Sequence, residues 1–227
     1  MRCAGGRSWQ LSVGDDTSLT AALVVRDAAG IVVPHDGGRA PADVPPPLLD
    51  PPPRDDALST DERAAAGADW LAWYRALLGL TVRDHHDPPP PGVGRAWQRW
   101  AQARSAAHDA VGAAPDFAGL ATAPLLRRAA VAAFRGPARA DRGIAASLPV
   151  DRTTWAGQRA IADEIVARRH ADPGELHGAV VLLPVAGVWW HLAAPGVVLA
   201  SGAAYRDDDL GPRLVRTALE SSLPSGM

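Results

Sequence analysis

GAVVLLPVAGVWWHLAAPGVVLAS, residues 178–201, carries three strand-like runs one after another: GAVVLL at 178–183, VWWHLA at 188–193 and VVLAS at 197–201. Short apolar, β-branched runs broken by Pro and Gly are how strands and turns alternate in sequence. Pro195-Gly196 suits a type II turn, with Pro at the first central position and Gly at the second. Reading Val185-Ala186 as a two-residue loop makes the first two runs a hairpin with Val180 opposite His191, and the Pro195-Gly196 turn sets Trp189 near Gly202 and Trp190 near Ser201. Asp207-Asp208-Asp209 then opens a last helix that runs to about Leu223, since acids at a helix start cap it and match its dipole.

Working outward, RSWQLSV at 7–13 alternates apolar and polar and reads as another strand, ended by Gly14-Asp15-Asp16. LTAALVVR at 19–26 and IVV at 31–33 flank a Gly-ended loop and read as a hairpin. The Pro-rich residues 34–57 cannot form regular structure and are expected to be a linker or surface loop. Ser59 and Glu62 form a capping box for a helix running to Leu78, with Trp70, Trp73, Tyr74, Leu77 and Leu78 as its buried stripe and Gly79 as its stop. Further helices are expected at 95–111, with Trp97 and Trp100 inward, at 123–135, and at 154–169, with a Glu164–Arg168 surface pair. Residues 136–150 read as irregular, and no internal repeat of fixed period occurs. The expected class is α+β: an antiparallel sheet built from N-terminal and C-terminal strands, packed on about four central helices and a C-terminal helix. One domain, 1–227, with Pro-rich loops at about 34–57 and 87–94, is the first expectation. A helical lobe at 58–170 inserted between strand-rich ends is the alternative.

Composition narrows the chemistry. All 23 basic residues are Arg, so Schiff-base lysine, phosphate-loop lysine and lysine general-base mechanisms are excluded. Any cationic site here clamps anions rather than shuttling protons. A net charge of −2 gives no electrostatic ground for nucleic-acid binding. The first residues lack the apolar core of a signal peptide, and no apolar run reaches the ~18 residues of a membrane span. With the single Cys, Cys3, unable to form an internal disulfide, a cytoplasmic protein without membrane association is expected. There is no glycine-rich dinucleotide fingerprint after a strand, no phosphate loop, no nucleophile elbow and no HExxH, and no cofactor is expected.

Three constellations remain. Asp84-His85-His86-Asp87 follows the apolar stretch Leu77 to Val82 and resembles the metal-binding signature of the DHH-type phosphoesterases. That resemblance covers these four residues and implies a metal-dependent hydrolase, with Asp15 or Asp16 standing where the family has its upstream motif and the companion His missing. Glu175, His177 and His191 form a second group, which the hairpin register would split between opposite faces of the sheet. Trp189-Trp190 point to opposite faces of one strand, and whichever ring the helices leave uncovered becomes an interface candidate. The leading expectation is a non-catalytic protein-interaction, adaptor or assembly protein with a protein partner, compatible with a homo-oligomer. The alternative is the metal-dependent hydrolase.

Overall fold

The chain forms two units, Met1–Asp15 with Ser147–Met227, and Asp16–Ala146. The structure is a computed structural model, and it describes residues 8–35, 41–114, 116–135 and 155–224. The expected irregular stretch at 136–150, Cys3 and the Trp155 side chain lie outside the described residues. Seven α-helices and a four-stranded mixed sheet make up the described part.

The first unit holds the sheet. Its strands are β1 (Gln10–Asp15), β2 (His177–Leu183), β3 (Trp190–Ala194) and β4 (Val197–Ser201), in the spatial order β1-β2-β4-β3. The two ends of the chain therefore share one sheet, as expected, but it is not antiparallel. β1 runs parallel to β2 and β2 parallel to β4; only β3 and β4 are antiparallel. The reason lies in β2. From Gly178 to Leu183 every residue is buried, and an unbroken apolar run is what a central parallel strand shows, because both of its faces are covered. The expected hairpin between β2 and β3 does not form. Pro184 to Trp189 carries the chain two strand spacings away, about 10 Å, and β4 returns into the gap. His191 consequently pairs with Leu199, not Val180.

One face of the sheet is built from Val180, Leu182, Val198 and Ala200, with Leu11 and Val13 at its margin. Leu214 and Ala218 of the last helix cover it. Two further helices belong to this unit besides that last one: Trp155–Arg169, which packs Ala162 and Ile165 against Val215 and Leu219, and the short Gly202–Arg206 segment directly after β4, which the sequence reading did not include. The helix at Leu210–Ser222 begins where Asp207 Oδ1 accepts the amides of Asp209 and Leu210. The expected Glu164–Arg168 pair is present at 3.8 Å, and Arg216 also donates to Glu164.

The second unit is helical: α1 (Thr17–Ala29), α2 (Thr60–His86), α3 (Arg95–Val111) and α4 (Pro124–Ala133). The expected hairpin at 19–33 is a helix instead. Asp16 caps α1 by accepting the amides of Ser18 and Leu19, and Gly30 closes it in the left-handed region at φ 63°. Ten of its thirteen residues are buried, so α1 has no polar face and its sequence shows no helical period. α2 starts at the expected capping box, in which the Ser59 amide donates to Glu62 Oε2 and the Glu62 amide to Ser59 Oγ. It does not stop at Gly79 but continues to His86. Gly67 of α2 lies so close to the Val32 carbonyl that a Cβ there would sit 2.0 Å from its oxygen, and only glycine allows this approach. α3 has no fully buried residue, and Trp97 is 39 % exposed, so the inward placement expected for Trp97 and Trp100 is corrected. Trp100 instead donates from Nε1 to the Asp87 carbonyl.

The core of this unit centres on Trp70, which is fully buried. Its Nε1 donates to the Ala22 carbonyl at 2.8 Å, its ring stacks on Tyr74 at 5.3 Å, and the Arg26 guanidinium lies over it at 5.4 Å. Arg26 is itself buried and organises the Pro-rich segment: it pairs with Asp27 at 2.7 Å and donates to the carbonyls of Pro45 and Pro46 at 2.7 and 2.8 Å. Asp27 in turn accepts the Leu48 amide. Prolines offer carbonyls but no amide, so a buried guanidinium with five donors is the complementary partner.

Among the described residues the Tyr74 hydroxyl is buried without a hydrogen-bond partner, and burial pushes its pKa upward. Tyr74→Phe removes that unmet polar group and keeps the ring. It is expected to raise stability by about 1 kcal/mol, a Tm gain of roughly 2–4 °C, readable by calorimetry.

Candidate interaction surface

β3 is an edge strand, and among the described residues no strand pairs with its outer side. Cross-strand register sets which side chains share a face. Trp190 lies opposite Ala200 and Leu192 opposite Val198. The pairing first expected, Trp190 near Ser201, is displaced by one residue because the ladder carries an irregularity between Leu192 and Ala194. Ala200 and Val198 are fully buried under the last helix. Their partners are not: Trp190 is 43 % exposed and Leu192 40 %. Val188, just ahead of the strand, is 65 % exposed. The apolar face of the sheet thus continues past the reach of its covering helix and ends in an open row of large apolar side chains.

Of the two expected interface residues, Trp190 stands on this row. Trp189 is half-buried; its amide donates to Ser201 Oγ and its carbonyl accepts the Ser201 amide. Sequence reasoning missed Val188 and Leu192, although both stand at a two-residue spacing from Trp190. It also missed an available signal: from Leu176 to Tyr205 there is no Asp, Glu, Lys or Arg. Edge strands are ordinarily blunted by charged side chains, because an apolar edge with free amides and carbonyls templates further pairing.

The Asp84-His85-His86-Asp87 residues fall on the last turn of α2 and its C-cap, where successive side chains point about 100° apart. Asp84 is held by Arg104 Nε at 2.7 Å and His108 Nε2 at 3.3 Å, both from α3. With Trp100 on the Asp87 carbonyl, these contacts fasten α3 to the end of α2. His85 and His86 lie ring to ring at 5.3 Å. Asp16 is the cap of α1, and its Oδ2 accepts the Thr81 hydroxyl at 2.7 Å; Asp15 is the last residue of β1. Among the described residues no group of three or more His, Cys, Asp or Glu gathers as a metal site would require. His177 and His191 share a face, contrary to the hairpin register, but stand two strands and four residues apart, about 10 by 13 Å. His177 Nε2 is at 2.7 Å from the Gly174 carbonyl.

The chain matches no protein-family model, no curated protein and no solved structure. No described helix is long and apolar enough to cross a membrane.

Proposed function

We propose that this chain is a non-catalytic cytoplasmic protein-interaction subunit that takes an extended segment of a protein partner onto the open edge of its sheet, alongside β3. The observation that carries this reading is the exposed apolar row Val188, Trp190 and Leu192 on an edge strand with no charge to oppose pairing. Strand addition draws affinity from the free backbone groups of the edge and selectivity from alternating side chains. A large, exposed aromatic side chain paired across the ladder with a small residue, as Trp190 is with Ala200, is the kind of anchor that dominates binding energy. The uncharged edge selects a partner segment that is itself apolar at alternate positions, since a buried unpaired charge would be costly there.

The test is recovery of partners by the full chain, tagged and expressed in its own host, against Trp190→Asp/Leu192→Asp. Both positions are exposed, so the variant is expected to keep its fold, which circular dichroism checks. A hot-spot loss of about 2 kcal/mol or more weakens binding roughly 30-fold, so a stoichiometric partner should be recovered by the wild type and lost from the variant. Equal recovery by a folded variant would remove β3 from the account. A second copy of this chain as the sole species recovered would replace the heterologous partner with a homo-oligomer.

A further inference from the structure

We propose that a groove along α4 binds a small organic oxyanion, a phosphate or carboxylate borne on an apolar body. The groove is largely open to solvent, has a volume of about 680 Å³ and lies wholly within the helical unit, a volume in the range of small-molecule sites. One wall is α4, where Pro124, Arg127, Arg128 and Val131 recur at the three- and four-residue spacing that places side chains on one helix face, and Arg135 extends it just past the helix end. The loop at Asp55 and Ala57 forms the other wall.

The charges on this face are not equivalent. Arg128 pairs with Glu62, whose carboxyl is held near pKa 2, first by the Ser59 amide and then by Arg128, so that pair neutralises itself. Asp55 turns its carboxylate inward: Oδ1 accepts the Ala57 amide and Oδ2 is buried. Arg127 and Arg135 have no carboxylate within ion-pair distance among the described residues. Arg127 stands on α4 and Arg135 just past its end, with Val131 between them in sequence. The start of α4 adds to this field, because Ala123 provides no side-chain cap for the first-turn amides and an uncapped helix start favours anions. Guanidinium forks match the oxygens of phosphate and carboxylate in bidentate fashion. The sequence pattern and the groove therefore select a ligand with an apolar middle and an oxyanion at one end or both.

The experiment titrates the full chain with three probes: 8-anilinonaphthalene-1-sulfonate, followed by fluorescence, then inorganic pyrophosphate and decanedioate as competitors. The expected result is probe binding that Arg127→Gln/Arg135→Gln weakens about tenfold or more, the loss of charge-assisted contacts, and that Trp190→Asp leaves unchanged. Displacement by pyrophosphate assigns phosphate ligands, and displacement by decanedioate assigns carboxylates. Three results would overturn the proposal: no binding up to about 1 mM, equal binding by the double-arginine variant, or a probe signal lost only in Trp190→Asp, which would place it on the sheet edge.

Discussion

Arg26→Met is expected to lower the unfolding free energy by about 3–5 kcal/mol, the cost of removing one partner from a buried ion pair. Three losses coincide in this substitution. Asp27 keeps its accepted amide from Leu48 but is left as a buried carboxylate without its cation. The carbonyls of Pro45 and Pro46 lose the hydrogen bonds that Arg26 donates. The cation over the Trp70 ring disappears. Methionine roughly preserves the volume, so the loss is chiefly electrostatic. The companion change Asp27→Asn removes the stranded charge, and Arg26→Met/Asp27→Asn should be less unstable than the sum of the two single variants. Urea denaturation of the four proteins gives the coupling directly. Limited proteolysis adds a local reading, since cleavage within 41–58 should accelerate before the rest of the chain is attacked. A variant that unfolds like the wild type, with the segment equally resistant, would mean that Arg26 does not hold the Pro-rich stretch in place.

The second large effect belongs to Trp70→Ala, expected to cost about 3–5 kcal/mol through the cavity left by a fully buried indole. Tyr74 loses its stacking partner and Arg26 the ring beneath it. Trp70→Phe separates the contributions: it keeps an aromatic ring against Tyr74 but gives up the hydrogen bond to the Ala22 carbonyl, for a smaller loss of about 1–2 kcal/mol. Thermal unfolding followed by circular dichroism ranks the three proteins. If the alanine variant melted with the phenylalanine variant, the ring would not be filling the core as described.

The parts of this fold that were legible in sequence are those with a local chemical signature. Ser59 and Glu62 announce the start of α2, the stripe from Trp70 to Leu78 its buried face, and Pro195-Gly196 the tight turn between β3 and β4. What was not legible depends on burial. α1 is buried nearly all round, so LTAALVVR shows no period of 3.6 and its β-branched residues read as strand; the Asp16 cap and the left-handed Gly30 fourteen residues later are the better evidence. The run from Gly178 to Leu183 reads as a strand and is one, but its lack of alternation points to a central parallel strand rather than a hairpin arm. Gly79 has the look of a helix stop, but a lone glycine costs only about 1 kcal/mol within a helix, and Leu80 beyond it is buried.

The candidate surface was half legible for the same reason. Adjacent tryptophans on a strand had to face opposite ways, but which of them lay open depended on the strand order, and that order follows from long-range pairing. The Asp84-His85-His86-Asp87 cluster was visible as a set of ligating residue types. Its helical setting, and the engagement of Asp84 by Arg104 and His108, rest on α2 running past Gly79 and on α3 folding back against its end. The arginines of α4 illustrate the reverse case: Arg127 and Arg128 carry no motif in sequence, and the placement of Asp55, Ala57 and Arg135 around them outlines the groove.

The measurement that tests the central claim most directly is amide hydrogen exchange of the full chain, free and in the complex recovered from its host. Strand addition predicts that the outward amides of Trp190 to Ala194 exchange readily in the free protein and become protected in the complex, while the buried amides of β2 and β4 stay protected in both. Protection that appears elsewhere and leaves β3 unchanged would contradict the account.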